Sequence, residues 1–425
     1  MIGTKSRAFG SLRLCVKSLI ASLLLAVTAR ASDWPQFLGP TRNVVYAGSD
    51  LATTWPKEGP PQLWQKRVGQ GFSGPVVASG KLILFHRLDD KETVESLDAK
   101  TGKANWSFDY PTSYRDDFGF DEGPRATPAI ADGRVYTYGA EGALHCLDFV
   151  TGTNIWTINA KTEFHAPKGF FGIACSPLIE GNAVLLMVGG RGGTGIVAFD
   201  KVNGKILWKA TDDEASYSSP IAATINNRRY GFCLTRAGLV ATDPPTGRIV
   251  FQFPFRPPIG SSVSAATPLI IDDLIFLSAS YGAGAVLLKF KETGPEKMWS
   301  SDEALSNHYA TSLHHNGFLY GIHGRTDPGF EPPASLRCIE LKTGKSRWEK
   351  DAFGAATIIL ASDQLLILTE RGELIRAPAS PDGFKPNARA QILPSQVRAH
   401  PALADGLFYA RSKDKLVCLD LGKSK

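Results

Sequence analysis

The sequence predicts an all-β fold: one eight-bladed β-propeller of four-stranded antiparallel blades, its ring closed by pairing the N- and C-terminal strands. Three observations lead there. A phrase ending in Thr-Gly and tryptophan recurs, a second phrase of small residue, proline and apolar strand alternates with it, and the chain ends carry complementary halves of one repeat. The turn glycines are spaced roughly 43 to 52 residues apart, which is the length of a four-stranded blade.

Residues 1–31 precede the repeats. Lys5, Arg7, Arg13 and Lys17 form a basic start, Leu19–Val27 is an apolar run too short to span a bilayer, and Ala29-Arg30-Ala31 fits a small-x-small cleavage site. This predicts a signal peptide cut near Ala31/Ser32 and a periplasmic or secreted mature chain without a transmembrane span; an uncleaved N-terminal anchor is the alternative. Residues 32–62, opening DWPQFLGPTRN, read as an irregular N-terminal extension, and 63–425 as the propeller.

The first phrase is clearest in LHCLDFVTGTNIW, Leu144–Trp156. Leu144, Cys146 and Asp148 alternate with His145 and Leu147, the two-residue period of a strand. Gly152 marks the turn because glycine reaches φ > 0 without a Cβ clash, and Trp156 anchors the returning strand. Further copies end at Trp106, Trp208, Phe251, Trp299 and Trp348, with turn glycines Gly102, Gly204, Gly247, Gly294 and Gly344. A degraded copy covers 374–383. CLDLGK, Cys418–Lys423, has the turn without its tryptophan strand, while Leu63-Trp64 has the strand without its turn. Joining these halves removes two free sheet edges.

The second phrase has eight copies: 72–85, 125–138, 174–188, 218–234, 265–279, 309–322, 354–369 and 398–411. RATPAIADGRVYTY, from Arg125, is typical. Proline is tolerated at a strand start, where its missing N–H faces no ladder partner. No helical periodicity persists past a turn or two.

Composition narrows the function classes. Of 47 basic residues five fall within 1–31, which holds no acid, so the mature chain has 42 basic against 41 acidic residues. That balance excludes an electrostatic footprint for nucleic acid. Beyond Cys15 the cysteines number five, an odd count that speaks against a full disulfide framework. Cys146, Cys338 and Cys418 hold a repeat position filled elsewhere by Ser96, Ala198 and Ala241; Cys175 and Cys233 are expected as buried thiols.

The phrase A-x-D-x-x-T-G-K-x-x-W resembles the tryptophan-docking motif of quinoprotein-type propellers. That superfamily includes the pyrroloquinoline-quinone (PQQ) dehydrogenases and the propeller lipoprotein of the bacterial β-barrel assembly machinery. The resemblance runs from about Leu63 to the end, and DWPQFLGP, GPRATPAI and ASYSSPI are most similar to secreted PQQ-like repeat proteins without assigned chemistry. It implies a fold more than a function, because the repeated residues are structural. The cysteine pair that some PQQ enzymes stack on the quinone is missing, and no Asn/Asp pair is placed like their calcium and base set. No catalytic residue, metal or cofactor is therefore expected, with PQQ and calcium as the alternative. The lipoprotein likeness is incomplete, since Cys15 precedes the apolar run.

Other candidate motifs carry little chemistry. GGRGGTG, 189–195, leads into a strand rather than a helix, so it reads as a hairpin connection and not a phosphate loop. His308, His314, His315 and His323 cluster in sequence, but neighbours on a strand point to opposite faces. No G-x-S-x-G elbow occurs.

The long connections, 109–124, 160–172, 254–264 and 324–335, all fall on one propeller face, where repeat proteins place binding. Arg87, Arg191, Arg236, Arg325, Arg371 and Arg411 follow second strands onto that face. Arg125 begins an inner strand, with Tyr217 and Tyr281 beside it. The expected binding residues are Arg125, Arg191, Tyr217, Arg236, Tyr281 and Arg325, offered to a protein partner or an anionic ligand because the arginine fork matches carboxylate and phosphate. The opposing expectation is loop arginines neutralised by Asp89, Asp90, Asp116, Asp117, Glu122 and Glu370. Three function classes follow: a non-catalytic extracytoplasmic binding or scaffold protein, expected to be monomeric; a PQQ- or metal-dependent oxidoreductase; and a carbohydrate-binding accessory protein using Phe118, Phe120, Phe170 and Phe171.

Overall fold

A computed structural model describes residues 1–3, 33–260, 262–327 and 329–423. The expected signal segment from residue 4 on, and Cys15 with it, lie outside them. Within 33–423 the strands form eight sheets. The first blade is Val76–Ala78, Lys81–Leu88, Lys91–Asp98 and Ala104–Pro111, ordered in space as in sequence. The blades at 129–159, 178–210, 221–254, 269–301 and 313–350 repeat it. The seventh, 356–391, carries an added strand, Val45–Tyr46, parallel to its inner strand.

The last blade joins the chain ends. Gln62–Arg67 pairs antiparallel with Lys415–Asp420, Trp64 opposite Cys418 and Gln65 opposite Val417. The half-repeats read in the sequence thus form one sheet. Second and third strands are buried along most of their length, whereas outer strands alternate exposed and half-buried residues, as in Ala104–Pro111. The apolar alternation on outer strands follows from covering one face only.

Each tryptophan locks its blade to the next. The Trp106 indole donates from Nε1 to the Phe149 carbonyl at 3.1 Å, Trp208 to Pro244 at 2.8 Å, Trp299 to Leu341 at 2.9 Å and Trp348 to Ser380 at 2.8 Å. Trp64 does the same across the closure, to Ala99 at 3.0 Å, and Trp156 to Lys201 at 3.3 Å. The receiving turn presents its glycine to the indole. A Cβ on Gly152 would lie 2.6 Å from the Trp106 ring, and one on Gly247 2.4 Å from Trp208. These glycines, at φ 75° and 72°, meet two demands at once: left-handed backbone and contact with an aromatic face. Gly102, Gly204 and Gly344 sit likewise against Trp64, Trp156 and Trp299. Where Phe251 replaces tryptophan it packs on Phe290 at 5.6 Å, and the inserted-turn Gly294 meets nothing within 4 Å.

The residue before the strand proline ties the inner strands together. Gly74 N donates to Thr127 Oγ1 at 3.1 Å, Thr127 N to Ser176 Oγ at 2.9 Å, and Ser176 N to Ser219 Oγ at 3.0 Å. Thr267 N repeats the pattern to Thr311 Oγ1 at 3.0 Å. These hydroxyls satisfy buried amides for which proline-bearing strands offer no ladder partner.

The N-terminal extension is ordered and crosses the ring. Trp34 exchanges backbone hydrogen bonds with Val77, Ile130 N donates to Pro35 O, and Leu360 N to Val44 O. Arg42, wholly buried, donates to the carbonyls of Ser176, Pro177 and Pro220 and to Gln36 Oε1. It thus plugs the channel, a role that an irregular composition conceals. Burial pulls the Arg42 guanidinium down to about 10, so it stays charged at neutral pH on carbonyl partners alone. The single helix among the described residues, Ala160–Phe164, interrupts one long connection and is capped by Asn159. Cys146, Cys175, Cys233, Cys338 and Cys418 are free and buried.

Candidate functional site

The inner strands start on the face that carries the long connections. There they enclose a cup of about 200 Å³ on the ring axis. Phe72, Arg125, Ala174, Tyr217, Ala265, Tyr309, Thr357 and Arg398 line it, one from each blade, and Phe37 and Leu38 of the plug also line it. A second cavity of about 280 Å³ adjoins it behind Tyr217, lined by Lys168, Phe170, Ile173 and Arg236.

The loops around the cup are pinned. The buried Asp116 carboxylate accepts the amides of Phe118, Phe120 and Asp121 at 3.0–3.1 Å and holds Arg125 at 2.9 Å. Tyr217 Oη accepts from Phe170 N at 2.8 Å and Phe171 N at 3.2 Å, fixing the loop at 160–172. Lys168 bridges the two loops through Asp117 at 2.7 Å. Phe118 then stacks with Phe171 at 5.0 Å and Phe170 at 6.3 Å, and Phe171 with Tyr217 at 5.6 Å. Phe118 is nevertheless 56% exposed, Phe170 38% and, across the cup, Phe330 39%.

The structure sorts the arginines expected on this face. Arg125 lines the cup, with Phe72 and Phe171 under its guanidinium at 5.5 and 5.9 Å. Arg236 lines the second cavity, pairs with Glu214 at 3.1 Å and lies over Phe170. Arg325 is held by Asp327 and stacks on Tyr281 at 4.4 Å and Phe330 at 4.2 Å. Arg191 is exposed at the tip of its glycine-rich connection. Arg87 and Arg411 differ from the expectation: both are buried, bonded to backbone carbonyls of Tyr114 and Glu122 and of Gly69 and Ser412, and offer nothing to the face. Arg398, outside the expected set, lines the cup, bonded through Nε to Glu370 at 2.6 Å and stacked on Phe72 and Phe120.

Tyr281 and His308 form a fixed pair. His308 Nδ1 accepts from Thr326 N at 3.2 Å, so Nε2 carries the proton and donates to Tyr281 Oη at 3.0 Å. Burial holds His308 below the ordinary imidazole range, hence neutral. Of the other clustered histidines, His314 and His315 share a strand edge and His323 Nδ1 caps Ser306 N. Among the described residues no three His, Cys, Asp or Glu side chains converge as metal ligands would.

A family model described as outer membrane protein assembly factor BamB matches residues 33–117 and 91–350. The chain belongs to that family. No curated protein matches the sequence. Among solved structures, BamB from Moraxella catarrhalis is similar at 17% identity and TM-score 0.60, over 84% of this chain and 96% of that one. The quinohemoprotein alcohol dehydrogenase from Comamonas testosteroni aligns at 16% identity and TM-score 0.64, over 93% and 81%. A europium-containing methanol dehydrogenase aligns at 12% identity and TM-score 0.66, over 91% and 89%. At such identities these likenesses show the propeller fold and leave the chemistry to this chain's own residues.

Proposed function

We propose that this BamB-family propeller is a non-catalytic, extracytoplasmic binding protein that engages a protein partner through its long-loop face. The observation that carries this is the exposure of Phe118 and Phe170 on backbone pinned by Asp116 and Tyr217, with exposed Phe330 stacked on Arg325. Pinned aromatic side chains bind at low ordering cost, and aromatics with arginine make interface anchors. The family description supports a role in assembly, and no helix among the described residues is long and apolar enough to cross a membrane. The basic-apolar-small pattern of 1–31 supports export.

The donor set does not fit calcium-bound PQQ. A calcium ion takes six to eight oxygens, whereas Asp327, the acid lining the cup, is committed to Arg325. No step through a quinone is derived.

The test is capture from cell-envelope extract with the purified chain. Phe118→Ser with Phe170→Ser should weaken the partner by at least about tenfold, or 1.4 kcal/mol. Val150→Ser with Val202→Ser, exposed at the Thr151-Gly152 and Asn203-Gly204 turns on the other face, should not. Equal capture by all three proteins overturns the proposal, and loss of glycan rather than protein capture would favour the carbohydrate reading.

A further inference from the structure

We infer that the axial cup is a carboxylate site: it takes one carboxylate group carried on a flat or short apolar body. This rests on the long-loop face being the binding face, and adds the chemistry of what enters it.

The cup holds more hydrogen-bond donors than its own acceptors can use. Tyr217 Oη already accepts two amide protons, so its O–H can only donate. Tyr281 Oη accepts from His308 Nε2, which directs its proton away from that ring. The Tyr309 hydroxyl is buried and has no hydrogen-bond partner. Burial raises the pKa of all three phenols above its ordinary value, so they remain donors at neutral pH. Arg398 bonds to the described residues through Nε alone, to Glu370, which leaves its Nη groups for a ligand. Asp327, the carboxylate lining the cup, is occupied by Arg325.

Three tyrosines with protons to donate and an arginine with unbonded Nη groups line one small cavity, and a carboxylate offers two oxygen acceptors in the plane that the arginine fork matches. Charge narrows the class. Arg125 is paired with Asp116, Arg325 with Asp327 and Arg398 with Glu370. A phosphate dianion would meet these carboxylates without a free cation to offset it, whereas a monoanion needs only the open edge of Arg398. Phe72 has the Arg125 and Arg398 guanidinium groups 5.5 and 5.6 Å from its ring and gives the apolar body its wall. A cavity of about 200 Å³ is below the roughly 300 Å³ at which drug-sized sites begin, so the body is about one ring or a short chain. A free organic acid and the carboxyl terminus of a polypeptide both carry this chemistry.

The experiment is calorimetric titration of the full mature chain with 3-phenylpropionate, its primary amide and inorganic phosphate. The acid should bind, with amide and phosphate at least about tenfold weaker. Arg398→Lys, which keeps the charge but loses the fork, and Tyr309→Phe should each weaken the acid about fivefold or more. Tyr309→Phe should leave the melting temperature unchanged, because its hydroxyl has no partner to lose. An acetylated dipeptide with a free carboxyl end, run beside its amidated twin, assigns the source: tighter binding than phenylpropionate points to a polypeptide terminus, weaker binding to a free acid. Absence of binding at millimolar acid, equal binding of acid and amide, tighter binding of phosphate, or affinities indifferent to both variants overturns the inference. Partner capture that survives any of those results leaves the long-loop face as the binding face and removes only the carboxylate site.

Discussion

Gly247→Ala tests the inter-blade lock. The added methyl would sit 2.4 Å from Cδ2 and Cε3 of Trp208, whose ring is nearly buried and whose Nε1 bonds to Pro244 O. Left-handed backbone costs an alanine about 1–2 kcal/mol. Overpacking against the indole adds roughly 1–3 kcal/mol, and a disturbed Nε1 bond about 1 kcal/mol more. Gly133→Ala isolates the first contribution, since Gly133 has φ 71° and nothing within 4 Å of its would-be Cβ. Urea unfolding followed by near- and far-UV circular dichroism should therefore show a loss of about 3–5 kcal/mol for Gly247→Ala and about 1–2 for Gly133→Ala. Trp208→Ala should itself cost about 3–5 kcal/mol. The double variant Trp208→Ala/Gly247→Ala should be less destabilised than the sum by about 2 kcal/mol, because the ring that clashes is gone. Equal costs at the two glycines, or additivity in the double variant, would refute the lock.

Other expectations follow from the same contacts. Arg42→Met should cost about 3 kcal/mol or more, since three buried carbonyls lose a charged donor; a melt and limited proteolysis of the N-terminal segment check it. Burial lowers His145, His323 and His400 from the ordinary 6.5 to about 4, so the unfolded chain binds protons first and stability should fall as pH drops from 6.5 toward 4. At 1.4 kcal/mol per pH unit the half-buried His400 accounts for at most about 3 kcal/mol of that loss, and His400→Gln should flatten the pH profile of the melt. Asp98, Asp148 and Asp243 lie below the usual carboxylate range through hydrogen bonds from Thr101, Thr151 and Thr246. Their contribution is present above about pH 4 and is lost as pH falls below it. Burial pushes the Cys146, Cys175 and Cys338 thiols up to about 11, so iodoacetamide at pH 8 should spare the native protein and label the unfolded one, and a reductant should leave the melt unmoved.

The fold was largely legible because each blade repeats the same local chemistry. Thr-Gly with a following tryptophan fixes a turn and an anchor together, and the split repeat at Leu63-Trp64 and Cys418 announced the closure that Trp64 and Cys418 make. The plug was hidden because Trp34, Pro35, Arg42 and Val44 each meet a different blade, so no period betrays them. The site was legible in part. Arg125 reads as the start of an inner strand and Tyr217 as an aromatic contact beside it, but their phase is the stronger signal. Phe72, Arg125, Ala174, Tyr217, Ala265, Tyr309 and Arg398 all stand three residues before the strand proline or its equivalent, and all line the cup. That rule would have found Arg398 and Tyr309. It would also have set aside Arg87 and Arg411, whose positions at second-strand ends bury them among backbone carbonyls. Burial of an arginine on carbonyl oxygens leaves no compositional mark.

Site-specific photocrosslinking in cells tests the binding-face account most directly. A benzophenone side chain placed in turn at Phe118, Phe170 and Phe330 on the long-loop face, and at Val150 and Val202 on the Thr-Gly face, reads out which side touches a partner. Adducts of one protein from the first three positions and none from the last two are the predicted result. Adducts from Val150 and Val202 with a silent long-loop face would contradict it.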